Sequence, residues 1–431
     1  MSTVSVVALG KIGLPLAVAI AGSGHTVVGA DADAGVVDLV NEGTAPFPNE
    51  TDLEDRLNKV VRAGSLTATT DTSDAASRSS VVVVVVPLLV DDSARPDFTS
   101  IDAATEKVAS GLKPGTTVIY ETTVPVHTTR KRFAQLLSQV SGLELGTELF
   151  VAHSPERVFS GRIFADLARY PKLVGGIDDE SGERAAEFYR SFLQFDRRPD
   201  LPRPNGVWNM GSAEAAEMAK LAETTYRDLN IAFANQLALG AEAAGVDVQA
   251  VIDACNSQPF SHIHQPGIAV GGHCIPVYPH LLASSVPEVT LSTAARTVND
   301  AMPTHVANEL AEALGGLEGR TVTILGLAFR GGVKEHGFSG ALALRELLQQ
   351  RGATVEVEDP LYSAEEVQRL GFSSHLPGHP TDAVVLQATH EEFRRASSDA
   401  YPGARVVYDG RGWLDPGKWD GVTFLRIGAP R

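Results

Sequence analysis

The sequence predicts an α/β fold, with two Rossmann-like, doubly wound domains joined by a long central helix and a small helical middle domain. Three observations carry this. Short β-rich apolar runs alternate with helical stretches up to about residue 198, as expected of a parallel sheet covered by helices. The alternation restarts at Thr321-Val322-Thr323-Ile324-Leu325-Gly326. Between the two lies a long helical stretch, with Ser212 as a plausible N-cap and Gly245 as a fitting C-cap. Domains are expected at 1–200, 201–315 and 316–431, the first boundary falling at Pro202-Arg203-Pro204-Asn205-Gly206.

The first element is the apolar run Val4 to Leu9. Gly10-Lys11-Ile12-Gly13-Leu14-Pro15 and an Ala-rich helix to Gly22 follow, then a second strand that ends at Asp31. Strand, glycine turn, helix, strand and an acid about 20 residues on is the dinucleotide-binding order. The helix N-terminus would hold the pyrophosphate and Asp31 the adenosine ribose, an acid there favouring NAD over NADP. The first glycine of the fingerprint is Ala8. Ser80 to Pro87 and Thr117 to Tyr120 read as further buried strands, by their continuous apolar residues.

On the long helix, Lys220, Thr224 and Arg227 fall at i, i+4 and i+7 and so share a face. They form either a solvated edge or a site. Pro266 to Pro279, PGIAVGGHCIPVYP, sets Cys274 after Gly267, Gly271 and Gly272 and beside His273. A thiol in a stiff glycine-rich turn suits a covalent nucleophile with backbone N–H groups close by; a buried structural cysteine is the other reading. Cys255 recurs at helical spacing with Val251 and Ile252 and reads as core. His262, His264, His273 and Cys274 match no standard zinc spacing, so no metal is expected. On the residues alone, Glu156 and Arg157 read as a surface ion pair.

A net charge of −17 argues against nucleic acid or an acidic membrane as the main partner. It still admits a phosphate ligand. No apolar run reaches the ~18 residues of a spanning helix, and no basic segment leads into an apolar core at the N-terminus. The two cysteines make no disulfide framework. A soluble cytoplasmic protein with reduced thiols is expected.

From about residue 3 to about 415 the chain resembles the UDP-glucose/GDP-mannose dehydrogenase family, nearest its UDP-N-acetylhexosamine branch. The resemblance rests on HCIPVYP around Cys274, ETTVP at Glu121 to Pro125, SPERV at Ser154 to Val158, AEMAKLAETTYRDLNIAFAN on the long helix, GLAFR ending at Arg330, and VVYDGR ending at Arg411. It implies oxidation of C6 of a nucleotide-linked sugar from alcohol to acid, through an aldehyde and a Cys274 thioester, with two NAD consumed. It implies Lys220 at the oxyanion, Glu156 and Thr123 at the hydrolytic water, and Thr224 where the family has an asparagine. Arg157, Val158, Lys220, Arg227, Gly267, Arg330 and Arg411 would meet the UDP-sugar. Gly10, Lys11, Ile12, Gly13, Asp31, Pro87 and Thr123 would meet NAD. A homodimer built on the long helix is also implied.

Four site positions depart from the family pattern: Thr224 for an asparagine, Phe260 for an arginine sent by a neighbouring subunit, Tyr278 for an aspartate, and Gly337 for an arginine. His127 stands where the family has a glycine. The departures leave two further readings open. One is altered chemistry that stops at the aldehyde or takes a modified sugar. The other is a pocket that binds without turnover.

Overall fold

The computed structural model describes residues 2–47, 50–91, 95–159 and 161–430. They fall into two compact units, Met1–Ala222 with Ser284–Val286, and Glu223–Ala283 with Pro287–Arg431.

The strands of the first unit are β1 (Thr3–Val7), β2 (Thr26–Ala30), β3 (Leu66–Thr69), β4 (Val81–Val84), β5 (Leu89–Val90), β6 (Pro96–Asp97), β7 (Thr116–Tyr120), β8 (Leu149–His153), β9 (Lys172–Gly176) and β10 (Val207–Asn209). β5 and β6 form a small antiparallel pair. The rest make one sheet in the order β10-β9-β8-β7-β4-β1-β2-β3. Its pairings are parallel except between β8 and β9. The valine run of β4 shows why the sequence reads as buried strand. Val83 joins the apolar cluster on one face, while Val82 and Val84 join the cluster on the other, as the strand period of two requires. The sheet continues past the loop at 202–206, because Val207 pairs with Lys172 and β10 becomes its edge strand.

The long helix is Ala213–Ala244. Ser212 Oγ accepts the Ala215 N–H at 3.2 Å, and Gly245 follows with φ +68°, so both expected caps are in place. The helix runs from the first unit into the second by sequence.

The strands of the second unit are β11 (Thr321–Leu325), β12 (Thr354–Glu358), β13 (Ser373–Ser374), β14 (Ala383–Leu386), β15 (Val406–Asp409) and β16 (Thr423–Arg426). They form a sheet in the order β13-β12-β11-β14-β15-β16, every pairing parallel. Ala234, Ala238, Val306 and Leu310 pack with Val322 and Ile324 of this sheet. A polar seam runs through this packing. Arg296 Nη1 pairs with Asp228 Oδ1 at 2.8 Å, and Asn299 Nδ2 donates to the same oxygen at 2.8 Å. Asn235 Nδ2 donates to Asn299 Oδ1 at 2.9 Å and its own Oδ1 accepts the Gly267 N–H at 2.9 Å.

Cys255 is not core as its spacing suggested. Asp247 caps the helix Val248–Asn256, and Val248 and Ile252 are buried, but Cys255 is only half-buried. The helix ends one residue later, and its last turn has left the packed face.

Candidate active site

In an open α/β sheet, ligands meet the loops at the C-terminal ends of strands on either side of the point where strand order reverses. In the first unit that point lies between β1 and β4. Gly10, Lys11, Ile12 and Gly13 follow β1, Pro87 follows β4, Thr123 follows β7 and Glu156 follows β8.

The glycine turn suits a pyrophosphate. A Cβ at Gly13 would lie 1.9 Å from the Ala8 carbonyl oxygen, whereas a Cβ at Gly10 would meet nothing within 4 Å. Ile12 supplies no side-chain cap to the helix Gly13–Gly22; the Leu14 N–H is taken by the Gly10 carbonyl at 3.1 Å and Pro15 carries none, so an anion there would meet the glycine turn and the positive end of the helix. Lys11 is exposed beside them. Asp31 Oδ2 accepts the Leu9 N–H at 2.7 Å and Oδ1 the Asp33 N–H at 3.0 Å, which fixes the carboxylate at the end of β2. Ala8, the departure from the fingerprint, has φ +76°. It adopts the left-handed conformation that a glycine would supply without strain. His127 has φ +76° as well, and its N–H donates to Glu217 Oε2 at 2.6 Å while the Thr129 N–H donates to Oε1 at 2.8 Å. Both residues adopt the left-handed conformation that glycine favours. Burial pushes the Glu217 carboxyl up to about 7, against the pull of those donors.

Thr123 is buried, and its neighbour Thr122 donates from Oγ1 to the Val86 carbonyl at 2.6 Å, which ties the turn after β7 to the end of β4. Glu156 is not in a surface pair with Arg157. Its Oε1 accepts the Arg157 N–H at 2.6 Å and its Oε2 accepts from Lys172 Nζ at 2.8 Å. The antiparallel register explains the second contact. The β8–β9 ladder ends with His153 opposite Gly175, and the same register continued three residues past β8 brings Glu156 level with Lys172. Burial pushes Glu156 up, and Lys172, the Arg157 N–H and the Lys220 ammonium together bring it below the ordinary carboxylate range. The charge of Lys220 therefore reaches Glu156. His153, buried behind them, is driven down to about 3 by burial and by Lys172.

On the long helix Thr224 is buried, Lys220 half-buried and Arg227 exposed, on the shared face that their spacing predicts.

In the second unit Cys274 is exposed, which rules out the buried structural cysteine. Its loop is held by the segment after β11. The Gly272 N–H donates to the Gly337 carbonyl at 2.8 Å. A Cβ at Gly271 would lie 2.4 Å from Phe329 Cβ. His273 Nε2 lies 2.6 Å from Glu335 Oε1, and its ring covers Gly337, where a Cβ would meet His273 Cε1 at 2.6 Å. The missing side chain at 337 is what admits the imidazole. Tyr278 opens the helix Tyr278–Ser285 and donates its N–H to the Cys274 carbonyl at 2.9 Å.

Arg330 after β11, Gln387 after β14 and Arg411 after β15 follow neighbouring strands at the switch point of the second sheet. Arg411 Nε donates to the Gln387 carbonyl at 2.8 Å. Burial lowers its guanidinium to about 10, with Asp409 pulling the other way. Arg411 and Arg227 both act on His264, which burial in the first place, and then the two cations, hold below its ordinary range. Arg411 also lines a cavity of about 80 Å³ with Gln249, Gln265, Pro266 and Arg426. Arg426 is paired with Asp247 Oδ2 at 2.6 Å, so it is the half-buried Arg411 that offers this cavity a charge for an anion. Arg330 is exposed, Val158 half-buried, and Arg157 Nη1 donates to the Pro171 carbonyl at 3.4 Å.

Sequence reasoning missed Lys172, Glu121, Gln387 and Glu335. The signal for Lys172 was a lone charge opening the apolar run Lys172-Leu173-Val174-Gly175-Gly176.

The fold and its first unit define an NAD-dependent oxidoreductase. Models of the UDP-glucose/GDP-mannose dehydrogenase family match the chain in three pieces: the NAD binding domain at residues 2–193, the central domain at 214–301 and the UDP binding domain at 323–416. The chain belongs to this family and is a nucleotide-sugar 6-dehydrogenase. It is 36% identical over 417 residues to a UDP-N-acetyl-D-mannosamine dehydrogenase of Pyrococcus horikoshii, covering 95% of each chain. It is 35% identical over 423 residues to an NDP-N-acetyl-D-galactosaminuronic acid dehydrogenase of Ralstonia solanacearum, covering 95% of this chain and 96% of that one. The solved structure of a P. horikoshii UDP-D-ManNAc dehydrogenase superposes with a TM-score of 0.89 at 33% identity, covering 99% of both chains. No helix among the described residues is long and apolar enough to cross a membrane.

Proposed function

We propose that the chain oxidises C6 of a UDP-linked N-acetylhexosamine to the uronic acid, through an aldehyde and a thioester on Cys274. The exposure of Cys274 on a loop held by Gly337, Phe329 and Glu335 is the observation that carries this reading. NAD, when bound, accepts hydride from C6. Gly10, Lys11, Ile12 and Gly13 would hold its pyrophosphate and Asp31 its ribose, with Pro87 and Thr123 also meeting the cofactor. The Cys274 thiolate adds to the aldehyde carbon, and the Lys220 ammonium stabilises the oxyanion. Glu156 takes a proton from the hydrolytic water, with Thr123 and Thr224 orienting it. Arg227, Gly267, Arg330 and Arg411 hold the diphosphate, and Arg157 and Val158 the sugar.

The domains assigned to these tasks are 1–200, 201–315 and 316–431. The assembly is a homodimer using the long helix, whose Tyr226 and Phe233 are 62% and 49% exposed and lie about two turns apart. The protein works in the cytoplasm, where Cys274 stays reduced.

The test is NADH formation with UDP-N-acetylmannosamine, UDP-N-acetylgalactosamine and UDP-glucose, with the product weighed. Two NADH per uronate support the reading, and no turnover of any of them overturns it. One NADH per aldehyde would favour the second reading, partial oxidation, which Tyr278 and Thr224 motivate: neither supplies the family's aspartate or asparagine, and a phenol with a pKa of about 10 is no anion at neutral pH.

A further inference from the structure

Beneath Glu156 the first unit buries a charged cluster that the chemistry above does not use. Lys172 Nζ lies 2.8 Å from Glu156 Oε2 and 2.9 Å from Glu121 Oε1. The Tyr189 hydroxyl donates to Glu121 Oε1 at 2.5 Å. Exposure is graded along this row: the side chains of Glu121, Lys172 and Glu156 are 0%, 5% and 12% exposed. Glu121 and Tyr189 form the closed end, Glu156 the open end, and the ammonium joins them.

The two carboxyls are not equivalent. Glu156 receives a backbone N–H as well as the ammonium, whereas Glu121 Oε2 is buried with no hydrogen-bond partner among the described residues. A carboxylate that is fully hydrogen-bonded keeps its charge more cheaply than one that is not. Two carboxylates around one ammonium would also bury a net negative charge, which a single proton removes. Burial raises Glu121 to about 7 in spite of Lys172, while Glu156 falls below its ordinary range. The proton of the cluster therefore belongs on Glu121.

We propose that Lys172 is a positioning residue for Glu156: its ammonium, backed by Glu121 and Tyr189, holds the Glu156 carboxylate ionised and aimed at the hydrolytic water. This rests on the reading of Glu156 given above. In the hydrolytic step the water O–H bond breaks as its oxygen bonds to the thioester carbon. The proton passes to Glu156, the Cys274 thiolate leaves, and Lys172 keeps all of its protons. Lys172 therefore matters to acid release and not to hydride removal.

The test compares Lys172→Met, Lys172→Gln and Lys172→Arg in the full chain. With a sugar nucleotide that the unaltered enzyme turns over, the uncharged variants should slow acid release roughly 10²-fold with little change in KM. The thioester should accumulate as an intact-mass adduct, the acidic limb of the pH–rate profile should move to higher pH, and Lys172→Arg should restore most of the rate. Equal slowing of both oxidations with an unmoved limb would make Lys172 merely structural and overturn the proposal. Carboxyl 13C NMR of glutamate-labelled protein without sugar decides the same point independently of turnover. The Glu156 titration should rise in Lys172→Gln, and no rise overturns the proposal. If the unaltered enzyme forms no thioester, it is the reading of Glu156 that fails, and the NMR result still tells whether Lys172 sets its charge.

Discussion

The guanidinium of Arg411 lies directly against Gly267: a Cβ on that glycine would sit 2.3 Å from Arg411 Nη1. The only residue that fits under the arginine is the one without a side chain. Gly267→Ala should push Arg411 off its Gln387 carbonyl and misplace its charge. Losing a charge-assisted contact of about 1.5–3 kcal/mol should weaken UDP binding roughly ten- to a hundredfold, as read by calorimetric titration. NAD affinity should be unaffected, because Gly267 lies outside the first unit.

Ala8 carries a correctable strain. At φ +76° an alanine costs roughly 1–2 kcal/mol relative to glycine, part of which glycine gives back through its freer unfolded chain. Ala8→Gly should therefore stabilise the first unit by about 0.5–1 kcal/mol. Chemical denaturation of the two proteins would check it, and a loss of stability would be the contrary result.

The buried Glu121 makes stability depend on pH in an unusual direction. Burial raises its carboxyl to about 7 in the folded protein, above the ordinary value of an unfolded chain near 4.3. Between those values the folded state binds more protons than the unfolded one. Its contribution is thus complete below about pH 4 and is lost as pH rises through about 7. Denaturation midpoints measured from pH 5.5 to 8 should fall more steeply in the native protein than in Glu121→Gln, whose amide mimics the protonated acid and does not titrate.

Cys274 and Cys255 should differ in both reactivity and consequence. Cys274 is exposed and Cys255 half-buried, so limiting iodoacetamide should label Cys274 first, as peptide mapping would read. Cys274→Ala should lower uronate formation by roughly 10³-fold or more and leave NAD binding intact, whereas Cys255→Ala should leave turnover unchanged.

Much of the architecture was legible because its signals are local. The valines of β4 are buried on both faces, and Ser212 and Gly245 cap the long helix as their chemistry requires. Ala8 and His127 looked like faults in a motif, yet both adopt the left-handed conformation that glycine favours; residue type alone does not tell whether such a conformation is present. Cys255 was misread because spacing gives a face but not where the face stops being covered. The partner of Glu156 was hidden for a different reason. Lys172 reaches it through strand pairing, and no short-range pattern announces which strand runs backwards.

That reversal has an effect on which end of β9 is used. A strand running with its neighbours would bring its last residue to the working rim; β9 brings its first, and backbone pairing with β8 rather than loop length decides where that residue stands. The helix Ile163–Arg169 that links the two strands buries its own Ile163, Asp166 and Leu167, yet it does not have to carry the lysine to Glu156; the sheet does that.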